Sequence, residues 1–280
     1  GSVLDNVHTV NTYVATNTNT GDVVLNDNVA TLTLAGINQS GTGDVIITNT
    51  GAIVNAGATV SNAINLAAGD TIAQTGAFTG TLLTTSSSGG TTLDSASNNL
   101  SSFNGTDLTG GDILIVDTSA LDIAGVSTTG NVSLTAGSLT QSGAISGNAL
   151  ITSTSGAGGS LLDNVANAIN SYSANDTAGG NIELANTGTL NLAAVTTAGN
   201  IIVSSSGDIS QIANIGSTGG GDISVTSTTG SINMTNGLNT TTTGGNITYQ
   251  ASGDLAVSLL DAAAGTTANG GVVTVISVNS

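Results

Sequence analysis

Three segments of this chain can be laid on one another almost without gaps, and this internal repetition limits the folds open to it more than any other feature. Residues 180–203 read GNIELANTGTLNLAAVTTAGNIIV, residues 111–134 read GDILIVDTSALDIAGVSTTGNVSL, and residues 21–47 read GDVVLNDNVATLTLAGINQSGTGDVII with small insertions. Each segment holds three short runs of alternating apolar residues, such as Ile182/Leu184, Leu190/Leu192 and Ile201/Val203, and each run follows a Gly-polar or Asn/Thr-rich turn. Alternation with a period of two places successive side chains on opposite faces of a strand. A chain that reuses one three-strand unit is a repeat protein, whose core grows along an axis.

The strand starts share a pentad, Gly-(Asp/Asn/Ser)-apolar-x-apolar: GDVVL at 21, GDVII at 43, GDILI at 111, GNVSL at 130, GNIEL at 180, GNIIV at 199, GDISV at 221, GSINM at 230, GNITY at 245 and GDLAV at 253. Gly180, Gly199, Gly221 and Gly245 are spaced by one coil of a β-solenoid, which predicts coils of about 19–26 residues. In such a coil Ile201, Val203, Ile223, Val225, Ile247 and Tyr249 point inward and stack, and the small polar residues between them face water. Gly supplies positive φ at the corners, and Asn and Asp bond their own backbone there.

A longer period lies above the coil. SLLDNV at 160–165 recurs as SVLDNV at 2–7 and as TLDSA at 92–96, which divides a single solenoid domain, 1–280, into superunits 1–90, 91–159 and 160–280. Helix signals are confined to a turn at 262–264 and another at 164–169. About a dozen coils at the ~4.8 Å strand spacing predict a rod on the order of 60 Å long.

Composition excludes several functions. The chain has no Lys or Arg, 16 Asp and one Glu (Glu183), and a net charge of −17, although only 6% of residues are charged. Without a basic side chain it has no means of neutralising phosphates, so nucleic acid and anionic membrane surfaces are not electrostatic partners. The absence of Cys and Pro removes disulfides and proline turns, and the longest apolar run, 113–116, is too short to span a bilayer as a helix.

The segments GNVSLTAGSLTQSGAISG (130–147) and NAINSYSANDTAGGNIELANTGTLNLAAVTTAGNIIVSSSGDISQ (167–211) resemble the repeats of filamentous-haemagglutinin-like adhesins, the exoproteins of bacterial two-partner secretion. The resemblance covers most of the chain. It implies a right-handed parallel β-helix, secretion through an outer-membrane pore, and a fibre at or beyond the cell surface.

Parallel β-helices include polysaccharide lyases and hydrolases, which use a basic residue, clustered acids with Ca²⁺, or two carboxylates at a fixed separation. Here the acids are mostly single residues at turn entries, and Asp22, Asp44, Asp112, Asp208, Asp222 and Asp254 all follow a glycine. They read as Asx-turn residues, with Ca²⁺ ligation the weaker alternative. Asp117 and Asp122 come nearest to a pair, but Asn186 and Asn191 stand at the matching places of the next superunit, and a turn tolerates that exchange better than catalysis does. His8, the one histidine, has no second metal ligand in its pattern and is expected to be exposed. The GGGD run at 219–222 lacks the nine-residue period of a calcium-binding repeat.

No catalytic, metal or cofactor site is therefore expected, and the chain reads as a structural module of a bacterial extracellular filament or surface adhesin. The alternative is a carbohydrate- or ice-binding solenoid, for which the Thr-rich tracts 17–20, 226–229 and 240–243 are the candidates, although they are expected at corners. Asn38, Asn104, Asn131, Asn175 and Asn246 lie in Asn-x-Ser/Thr sequences that suit glycan attachment. The expected partners are further copies of the chain, stacked end to end or continued in tandem, and glycans of a host or neighbouring cell. The heptapeptide GSVLDNV at 1–7 matches GSLLDNV at 159–165. The tail 272–280 would run into it in phase, so the two ends are expected to fit one another.

Overall fold

The computed structural model describes residues 1–265 and 270–278; the last two positions of the tail 272–280 lie outside the described residues. Among the described residues there are 31 strands and no helix. By Cα proximity the chain divides into two compact units, Gly1–Thr135 and Ala136–Ser280. Each is a β-solenoid of parallel strands.

In the first unit one ladder runs Val23, Val45, Ile64, Leu83, Phe103, Ile123. A second runs Leu32, Ile53, Ile72, Thr91, Ile113, Val132. In the second unit the pentads at 180, 199, 221 and 245 fall in one ladder, Ile182, Ile201, Ile223, Ile247, with Ser160 before them and Val273 after, and those at 230 and 253 fall in another. Two further ladders, Leu190–Ile209–Ile232–Leu255 and Val195–Ile215–Thr240–Leu260, complete a coil of three strands.

The inside/outside alternation follows from the pleat. In the strand Ile201–Ser205 the side chains of Ile201, Val203 and Ser205 are buried and Ile202 is exposed. Ile223, Val225, Ile247 and Tyr249 are buried as the pattern predicts. Each fully buried Val, Ile or Leu side chain stabilises the fold by about 1.5–3 kcal/mol through removal of apolar surface from water. The 262–264 segment is a turn, as expected.

Two local features differ from the sequence reading. Gly21 apart, the pentad glycines are not the residues with positive φ; in the pairs Gly179-Gly180, Gly220-Gly221 and Gly244-Gly245 it is the first member that has it. The second member is glycine because the coils touch there: a Cβ on Gly221 would lie 2.1 Å from the Gly199 carbonyl oxygen, and one on Gly245 would lie 2.3 Å from that of Gly221. The repeat is also not a whole number of coils in the first unit. GDVVL (21) and GDVII (43) lie in the ladder of Val23, whereas GDILI (111) and GNVSL (130) lie in the adjacent ladder of Leu32.

A third feature recurs once per superunit without having been expected. An aromatic residue on one strand faces a bulge on the next, with register shifts after Tyr13 opposite Leu34/Gly36, after Phe103 opposite Ile123/Gly125, and after Tyr172 opposite Leu192/Val195. The extra residue bends the strand around the larger side chain.

Candidate functional site

The polar chemistry of this chain lies mainly at the corners, where many Asx and Gln side chains point inward. Leu100 N–H donates to Asp117 Oδ2 at 2.8 Å, and Ile169 N–H donates to Asn186 Oδ1 at 2.9 Å, so the two residues exchanged between superunits do the same work. A carboxylate and an amide both offer an acceptor oxygen, which is why the exchange is tolerated. Phe78 N–H to Asn98 Oδ1 (2.9 Å) and Ile145 N–H to Asn167 Oδ1 (2.8 Å) repeat the device. Asn98 also forms a reciprocal amide pair with Gln74, 2.9 Å in each direction. Asn167 pairs with Gln141 in the same way. Gln211, at the corresponding place further on, accepts from the Tyr249 hydroxyl, which also bonds Thr240 at 2.6 Å.

Asp107 is buried and densely hydrogen-bonded. Its buried carboxylate accepts backbone N–H groups from Gly111 (2.6 Å), Gly110 (2.7 Å), Gly90 (2.8 Å) and Thr109 (3.0 Å), and the Ser87 hydroxyl at 3.1 Å. Burial opposes its charge, but the four backbone donors outweigh burial and hold its pKa below the ordinary carboxylate value. Asp176 is held in like manner by Gly180 and Ala178 N–H and by Thr154. Burial pushes the Tyr172 phenol up to about 12, against the pull of the Thr152 and Ser160 hydroxyls, and raises Tyr249 further.

Several Asp and Asn residues that follow a glycine bond the next coil instead of their own turn. Asn181 Oδ1 accepts Asn200 N–H (3.0 Å), Asn200 accepts Asp222 (2.8 Å), Asp222 accepts Asn246 (2.7 Å) and Asn246 accepts Val272 (2.9 Å). Asp22, Asp44, Asp112 and Asp208 each take an N–H one coil on in the same way, from Asp44, Ala63, Asn131 and Ser231. Asp254 gives its N–H to the Ser231 hydroxyl.

The remaining candidates are dispersed. Asp122 is half-buried and accepts from Ser102 at 3.1 Å, whereas Asp117 faces inward with both oxygens engaged, so they do not form a pair. Asn191 is exposed. His8 is half-buried on the strand Ser2–His8. Among the described residues no three His, Cys, Asp or Glu side chains gather in a metal-holding group. Asn38, Asn131, Asn175 and Asn246 are exposed and Asn104 is half-buried. The tract 240–243 is mostly strand, not corner, and Thr240 and Thr242 are buried, so they cannot join an outward array.

The concavities are shallow. One of about 420 Å³ is lined by Val14, Thr16, Gly36, Asn38, Ala58 and Val60, and one of about 340 Å³ by Ile151, Ser153, Ser173, Asn175, Ala194 and Thr196. Both lie beside an aromatic-facing bulge, and neither holds a titratable side chain. No helix among the described residues is long and apolar enough to cross a membrane.

The fold and these corners define a β-solenoid repeat protein. Comparison with protein-family models, curated proteins and solved structures finds no match to any of them.

Proposed function

We propose that the chain is a structural module of a bacterial extracellular filament or surface adhesin, a stiff and protease-resistant spacer that associates with copies of itself. The observation that carries this reading is the coil-to-coil ladder Asn181–Asn200–Asp222–Asn246–Val272, in which surface Asx residues are used to bind one coil to the next. A chain that commits its polar side chains to its own repeat has few left to converge on a substrate. The likeness of 130–147 and 167–211 to filamentous-haemagglutinin repeats, and a surface of acids without a single Lys or Arg, support an extracellular setting.

The test places the chain between a cell-surface anchor and an epitope tag in a bacterial display strain. A spacer keeps the tag displayed through proteinase K treatment that strips an unstructured linker of equal length. Loss of the tag at the linker's rate would overturn the reading. Selective binding of the displaying cells to a glycan array would favour the carbohydrate-binding alternative.

A further inference from the structure

The sequence contains three Asn-Gly steps, at 104, 236 and 269, the last partly outside the described residues. The other two lie in opposite environments. Asn104-Gly105 is in the middle of the strand Asn99–Asp107, where Gly105 is buried and Cα-paired with Thr85 on one side and Val126 on the other. Asn236-Gly237 forms the tip of a turn closed by Leu238 N–H donating to the Thr235 carbonyl at 3.2 Å. Both residues are exposed, Gly237 has φ +85, and a Cβ there would meet nothing within 4 Å. Glycine at the third position of a turn with positive φ fits type II geometry. The Gly237 N–H is bound not to a ladder carbonyl but to the Ser258 hydroxyl, at 3.1 Å.

From this contrast we infer that Asn236 is a site of spontaneous deamidation, selected by the fold over Asn104. The Gly237 backbone nitrogen, on losing its proton, attacks Asn236 Cγ. The new N–Cγ bond closes a five-membered succinimide, the Cγ–Nδ2 bond breaks, and the amide nitrogen leaves as ammonia. Water then opens the ring at one carbonyl to give aspartate or at the other to give isoaspartate. The net change is amide plus water to carboxylate plus ammonium, the released ammonia taking the acid's proton, with no oxidant or cofactor. An unhindered turn glycine can move into the attack geometry, whereas Gly105 must first leave a paired strand. The product adds an acid to a chain that has no cation to offset it.

The experiment incubates the folded full chain in mildly alkaline buffer and follows both positions by peptide mapping with mass spectrometry and isoaspartate methylation. Conversion at Asn236 is expected at least about tenfold faster than at Asn104, because the latter waits on local opening of the ladder. In denaturant the two rates should converge, and Asn236→Gln should abolish conversion at that position. Equal rates in the folded chain, faster reaction at Asn104, or a difference that persists in denaturant would each overturn the inference.

Discussion

At the scale of the residue, backbone contact between coils decides which positions tolerate a side chain. Gly221 has the Gly199 carbonyl oxygen 2.1 Å from where a Cβ would stand, and no flexible group is there to yield. Gly221→Ala should therefore cost ~3 kcal/mol or more by forcing two coils apart. Gly237→Ala meets only the conformational cost of φ +85, about 1–2 kcal/mol. Urea unfolding of the two variants checks this, and equal losses would contradict it. Asp107 makes a second prediction, about pH. Its folded pKa lies below 3.8, so the stability it supplies is fully present above that value and is lost as pH falls through the lowered one. Asp107→Asn keeps one acceptor oxygen but loses the one that takes Gly90 N–H and the Ser87 hydroxyl. The variant should be weaker by ~1–3 kcal/mol at neutral pH. The gap should narrow in urea titrations below pH 3.8; a gap independent of pH would contradict the assignment.

At the scale of the element, alternation places Ile201 inside and Ser204 between inside and outside. Ile201→Asp buries a charge with no partner and should cost several kcal/mol, ~3 or more, whereas Ser204→Asp should be mild. Thermal unfolding that shows the two equally harmful would remove the inside/outside assignment. The bulges carry a subtler consequence. Tyr13 and Phe103 occupy matching places opposite a bulge, and the Tyr13 hydroxyl is enclosed without a hydrogen-bond partner. Tyr13→Phe should accordingly be neutral or stabilising by up to ~1 kcal/mol, and a clear loss in thermal unfolding would point to a partner for that hydroxyl. Such strands and their faces were legible in the sequence because period-2 alternation is a property of one strand alone. The inward corner residues were not, because Asn98 or Asn167 looks like any turn asparagine until the coils beside it bury it. One signal was available: Asn98/Asn167 and Asp107/Asp176 recur at a common offset, and Gln74/Gln141 nearly so, as functional turn residues need not. The reason for the pentad glycines was misread for the same cause, since close approach to the neighbouring coil leaves no mark within a pentad.

At the scale of the whole molecule, each unit is stabilised by repetition, and nearest-neighbour coupling between coils replaces a single central core. The coil is therefore the unit that can be removed. Deleting residues 201–222 takes out the strands Ile201–Ser205, Ile209–Gln211 and Ile215–Ser217 and joins Asn200 to Ile223, the residue paired with Ile201. Deleting 201–211 removes two of those strands and throws every later ladder out of phase with the ones before it. The most direct measurement is thermal unfolding of these two deletions beside the intact chain, followed by circular dichroism. A solenoid built of interchangeable coils predicts a β-sheet spectrum and a cooperative transition near that of the intact chain for the longer deletion, and loss of the cooperative transition for the shorter one. Equal damage from both, or less from the shorter, would contradict it.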